Sequence, residues 1–117
     1  MSKRSEVLYL GDMLAYARRA HARVANITRD EFESNEDLQI IVGHMLQIIG
    51  EAASKVSAAT VTAHPEIAWA RIAGMRHKIV HDYFAIDVGV VWDAAKNDLP
   101  DLIASLEKFI PPEPPSA

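Results

Sequence analysis

From Leu38 to Val56 the apolar residues fall at steps of three and four: Leu38, Ile41, Val42, Met45, Ile48, Ile49, Ala52, Ala53 and Val56. Only a helix places all of these on one side, and a stripe this wide belongs to a helix with neighbours on more than one flank. A strand would send alternate members of the set to opposite faces. Gly43 and Gly50 lie inside the stripe. A helical glycine costs about 1 kcal/mol relative to alanine, so the pair predicts that another backbone comes close there.

The other segments read as partners for this helix. Leu10, Met13, Leu14, Ala17, His21, Val24 and Ile27 keep the same spacing and predict a long first helix over residues 4–28, with arginines on its outer side. The stretch "TRDEFESNED" reads as an acidic polar connection, in which Ser34 and Asp37 resemble a helix start. Pro65 suits the first turn of a short helix through Trp69, and Gly74 bends the path into "MRHKIVHDYF". Asp87 is placed to cap a helix carrying Val88, Val91, Trp92 and Ala95, and Pro100 and Asp101 open a last helix ending near Ile110. No alternating pattern predicts a strand. The expectation is therefore an all-α fold, an antiparallel bundle of four to five helices over residues 1–110, followed by a flexible Pro-rich tail, "PPEPPSA", at 111–117.

With 117 residues, half of them apolar, the chain suffices for one core without disulfides, and it has no Cys. The opening "MSKRSEVLYLGD" lacks the apolar region of a secretion signal, and no apolar run reaches the ~20 residues of a membrane span. A cytoplasmic protein without a membrane partner is the expectation. The net charge of −4 disfavours sequence-blind adhesion to nucleic acid over the whole surface. The cations are nonetheless uneven. Lys3, Arg4, Arg18, Arg19, Arg23 and Arg29 cluster before residue 30, and Arg71, Arg76 and Lys78 gather near "GMRHKIVHDYF", so a local basic groove remains open to RNA.

That last stretch concentrates Arg76, His77, Lys78, His81, Asp82 and Tyr83. Continued as a helix, it would put Arg76 and Tyr83 on one face and His77 and His81 on another. A guanidinium and an imidazole are a minimal set for cleaving RNA without a metal: the imidazole takes the 2′-hydroxyl proton and the guanidinium stabilises charge on the phosphate. His77 is available as a second proton carrier. The same residues also describe an ordinary helix end with a capping His and surface ion pairs. Two imidazoles four apart could instead share a metal, with Asp82 or Glu51 as further ligands, which would make a metallohydrolase. Glu51, in "IGEAASK", lies among apolar neighbours and calls for a cationic partner; Arg76 is the first choice. Tyr9 and Tyr16 with Arg18, Arg19 and Arg23 form either a single-strand platform or a plain solvated face. Trp69 and Trp92 read as core anchors, and His21, His44 and His64 as structural.

Arg76, four residues, His81, one residue, Tyr83 resembles the signature of the HepT-like group of HEPN domains, the toxin half of HepT and MntA toxin–antitoxin pairs. The resemblance extends through "YLGDMLAYARRA", "MLQIIGEAASKVS" and "IAWARIAGMRHKIVHDYFAIDVGVVWDAAKNDLPDL". It implies a HEPN-like helical domain that pairs as a homodimer or higher oligomer, with two copies of the motif facing one cleft. It further implies a metal-independent endoribonuclease without a cofactor. Arg76 and His81 would be catalytic, and Tyr83 the hydroxyl adenylylated by an MntA-like minimal nucleotidyltransferase antitoxin. His77 stands where the family commonly has Asn, which leaves its role open. The alternative reading is a non-enzymatic helical module that only complexes a nucleotidyltransferase or a nucleotide.

Overall fold

The stripe at 38–56 becomes α3 (Glu36–Ser54), and the other long elements are arranged around it. The computed structural model describes residues 3–80 and 86–110. In chain order the elements are α1 (Lys3–Val24), α2 (Arg29–Glu33), α3, α4 (Ala58–Ala63), α5 (Trp69–Ile79), α6 (Val88–Asp93), a π-helical turn (Ala94–Asp98) and α7 (Leu99–Glu107). The all-α expectation holds. The number of helical pieces exceeds four or five because short helices occupy two connections and the last helix is divided by the π turn. The proposed tail at 111–117 falls outside the described residues.

Ion pairs and hydrogen bonds give the directions. Ser57, just past the end of α3, donates its backbone N–H to Glu6 Oε1 at 2.7 Å near the start of α1. Gly50 of α3 faces Ile72 and Ala73 of α5, and Gly43 faces Ile79, so α5 also runs antiparallel to α3. Arg18 of α1 pairs with Glu107 of α7 at 2.6 Å. The core between these helices holds Met13, Ala17, Leu46, Ile49, Ile79, Leu99 and Leu106, all essentially sealed from solvent. Trp69 and Trp92 are buried as expected, the Trp69 indole N–H donating to the His64 carbonyl at 2.9 Å.

Two connections differ from the sequence expectation. The acidic stretch after α1 contains a complete small helix. Thr28 accepts from the Glu31 N–H while the Glu31 side chain accepts from the Thr28 N–H, a reciprocal cap on α2. Its one large apolar residue, Phe32, is fully buried, with its ring centroid 5.4 Å from that of Trp92. Gln39 closes the far end, donating from Nε2 to the carbonyls of Phe32 (2.9 Å) and Glu33 (3.0 Å). The start of α3 is capped by Asn35, whose side chain accepts from the Leu38 N–H, not by Ser34. The second difference follows α3. The short helix there is α4, capped by the Ser57 hydroxyl, and Pro65 lies beyond it in a turn leading into α5 at Trp69.

The end of the bundle is one helical path interrupted by the π turn, which leads into α7 with Pro100 in its first turn. The π turn and the end of α1 satisfy each other's backbone groups. His21 Nδ1 donates to the Ala95 carbonyl at 3.1 Å, and Lys96 Nζ donates to the carbonyls of Val24 and Ala25 at 3.2 and 3.1 Å. The Lys96 ammonium also lies 5.5 Å from the Trp92 ring centroid.

Candidate active site

Helix α5 exists because Trp69, Ile72, Met75 and Ile79 form a buried stripe at helical spacing. That stripe fixes which way the polar residues point: Arg76, His77 and Lys78, in the last turn, are exposed. Cations there also suit the negative end of the helix dipole. The helix stops at Ile79. Val80 is extended (φ −115°, ψ 111°) and forms an isolated antiparallel bridge with Ile86, while Asp87 donates its N–H to the Ile79 carbonyl at 2.7 Å. Among the described residues the helix expected across 76–83 is thus followed only as far as Ile79. The β-branched residues Ile79, Val80 and Ile86 favour extended pairing, and the bridge takes up the backbone groups that another helical turn would have used. His81 and Tyr83 lie outside the described residues.

Arg76 pairs through Nη1 with Glu51 Oε2 of α3, the partner that Glu51 called for. The contact depends on the tight approach of α3 and α5 at Gly50. A Cβ on Gly50 would stand 2.9 Å from the Ile72 carbonyl oxygen and 3.5 Å from that of Ala73. Gly43 differs: a Cβ there would meet only side-chain methyls, at 3.7 Å and beyond. One of the two glycines thus fulfils the close-backbone expectation. The other does not.

Glu51 has a second cation. Lys55, the residue that caps the end of α3, places Nζ 3.4 Å from Glu51 Oε1 and 5.6 Å from the ring centroid of Tyr9 on α1. These side chains wall a groove of about 390 Å³ between α1 and α3, closed at one side by Arg76 and lined further by Asp12, His44 and Ile48. Arg76, Glu51 and Lys55 are each exposed over 40–48 % of their side chains, so a ligand in the groove reaches all three. The groove combines an apolar floor with two cations, Lys55 and Arg76, and two carboxylates, Glu51 and Asp12.

The other sequence candidates separate cleanly. His77 is exposed on α5 but does not line the groove. His21 binds a backbone carbonyl, and His64 stacks on Phe109 with centroids 3.7 Å apart; neither lines the groove. His44, read from sequence as structural, is instead an exposed imidazole on the groove wall. Its i+7 relation to Glu51 was the signal that would have found it. Among the described residues no three His, Asp or Glu side chains converge on a metal position. Of the α1 arginines, Arg18 is tied to Glu107 and Arg19 lies 5.0 Å over the Tyr16 ring. Among the described residues, no helix is long and apolar enough to cross a membrane.

Comparison with known proteins places this geometry in context. A family model described as "Ribonuclease HepT-like" matches residues 13–109. A protein of Thermococcus cleftensis named "Probable ribonuclease HepT" is 36% identical over 107 residues, covering 92% of this chain and 97% of its own. A Methanocaldococcus jannaschii protein provisionally named an RNase is 34% identical over 110 residues, covering 94% of this chain and 91% of its own. No solved structure matches the chain.

Proposed function

This chain belongs to the HepT-like ribonuclease family, and we propose that it is an endoribonuclease whose Arg76 and His81 cleave RNA without a metal. The observation that carries the reading is the exposed Arg76 guanidinium. It is held by Glu51 on the wall of an open groove, on the helix that ends just before the segment bearing His81.

In the proposed reaction His81 removes the proton from a ribose 2′-hydroxyl. The 2′-oxygen attacks the adjacent phosphorus, the bond from phosphorus to the 5′-oxygen breaks, and that oxygen leaves with a proton from a second group. The products are a 2′,3′-cyclic phosphate and a free 5′-hydroxyl. Arg76 stabilises the extra negative charge on the phosphate oxygens, where a fixed cation contributes most to catalysis. His77 or the His81 of a second copy supplies the departing proton. Glu51 serves as an auxiliary residue by holding the guanidinium in place.

The site has one Arg and one motif His per chain, which favours a homodimer or higher oligomer in which two motifs share a cleft. Exposed Val7, Leu8, Ile40 and Ile41 on α1 and α3 supply apolar surface for such pairing. We further propose that the protein is the toxin of a toxin–antitoxin pair, silenced when a cognate MntA-like nucleotidyltransferase adenylylates Tyr83. An AMP group there would add bulk and negative charge where RNA phosphate must sit. The domain would comprise residues 1–110, in the cytoplasm.

The test is cleavage of single-stranded RNA by the purified protein in the presence of chelator. Cleavage should persist, and Arg76→Ala or His81→Ala should each abolish it. Cleavage that survives the doubly substituted protein overturns the assignment. Co-expression with the nucleotidyltransferase should raise the intact mass by whole AMP units, and Tyr83→Phe should remove that increase.

A further inference from the structure

The groove holds a second cation that the proposed chemistry leaves unused. Lys55 and Arg76 come from different helices, yet both converge on one carboxylate: Arg76 Nη1 on Glu51 Oε2, and Lys55 Nζ at 3.4 Å from Glu51 Oε1. Lys55 and Arg76 thus share one carboxylate, Glu51, while Asp12 is a second carboxylate on the groove wall. The two oxygens of a carboxylate and the two non-bridging oxygens of a phosphodiester present similar spacing, which is why one set of donors fits either. A backbone phosphate could therefore take up the same two donors that Glu51 engages.

We propose that Lys55 is an RNA-binding residue of this protein, and that Lys55 and Arg76 together clasp a phosphodiester of the substrate, Glu51 holding both until it arrives. This rests on the ribonuclease reading above for the identity of the ligand. The Tyr9 ring beside the Lys55 ammonium limits its wandering, so the amine waits at the groove wall and does not sweep through solvent. Exchanging Glu51 for phosphate costs little, because exposed ion pairs such as these contribute little to stability. Simple neutralisation of Glu51 at the end of α3 is the competing role for Lys55, since the two residues are four positions apart.

The two roles separate in a Glu51→Gln background, where there is no carboxylate left to neutralise. The probe is a fluorescent single-stranded oligoribonucleotide with 2′-O-methyl groups, which cannot be cleaved, titrated by anisotropy at several salt concentrations. In that background Lys55→Gln should weaken binding about threefold to tenfold and lower the salt slope by about 0.7, the loss of one phosphate contact. Lys55→Arg should restore both. Thermal melts of each variant verify that the fold is intact, as expected for exposed side chains. Equal affinity and equal slope with and without Lys55 in the Glu51→Gln background would overturn the proposal. Failure of the cleavage reading is visible separately. Uncut unmodified RNA with Lys55-dependent binding refutes the nuclease chemistry alone, whereas normal cutting with Lys55-independent binding refutes only the role given to Lys55.

Discussion

Gly43 and Gly50 offer the same substitution twice on one helix, with opposite outcomes expected. Alanine in place of a helical glycine stabilises by up to about 1 kcal/mol through backbone entropy. At Gly43 the new methyl would meet Ile79 and Val91 methyls at 3.7 Å, ordinary contact, so Gly43→Ala should gain most of that. At Gly50 it would stand 2.9 Å from the Ile72 carbonyl oxygen, a backbone atom that cannot rotate away. Helix α5 must then retreat, and overpacking of this kind costs about 1–3 kcal/mol. The propensity gain is common to both variants, so their difference isolates the clash at about 1–3 kcal/mol. For a domain of this size that is a gap of about 4–12 °C in Tm, read by circular dichroism at 222 nm. The retreat would also draw Arg76, one turn beyond Ile72, away from Glu51, so Gly50→Ala should cleave RNA more slowly while Gly43→Ala does not. If both variants melt together above the parent, α3 and α5 are not in backbone contact and the account of how Arg76 is positioned falls with it.

Arg76→Lys keeps the charge but loses the planar fork, so RNA cleavage should drop at least tenfold with little change in melting temperature; undiminished cleavage would show that only the charge matters. Gln39→Leu removes the amide that serves the carbonyls of Phe32 and Glu33, and leaving buried acceptors unpaired should cost about 1–3 kcal/mol in a urea unfolding curve. Phe32→Ala empties a fully buried site against Trp92 and should cost about 3–5 kcal/mol, enough to unfold much of the protein at 37 °C. The Glu6 carboxylate is held below its ordinary pKa chiefly by hydrogen bonding from Ser57. In acid the unfolded chain then binds the proton more tightly than the folded one, so this contribution is complete above the unfolded pKa and is lost as pH falls through the folded value. The acid limb of Tm against pH should accordingly be shallower in Glu6→Gln, and an unchanged limb would remove Glu6 from the account.

Long periodic segments were legible because their packing is periodic. Helices α1 and α3 and the Asp87 cap were each anticipated from spacing or cap chemistry, as was the pairing of Glu51 with Arg76. Helix α2 was missed since its burial rests on a single residue, Phe32, amid eight polar neighbours, and one residue has no period. The end of α5 is hidden for a different reason: helical spacing continues on paper past Ile79, while the competing bridge between Val80 and Ile86 depends on a partner six positions away. His44 and Lys55 are not legible as site residues because each looks, along the chain, like an ordinary exposed position on or just after α3. Only the placement of α1 and α5 beside them turns that face into a groove wall.

The π turn at Ala94–Asp98 has a bearing on how this chain can change over evolutionary time. Deleting one residue would restore a regular helix, yet the same deletion would withdraw Lys96 from the carbonyls of Val24 and Ala25 and the Ala95 carbonyl from His21. Each irregularity is thus the other's remedy. Lineages descending from such an ancestor would be expected to keep both or to lose both, never to discard one alone.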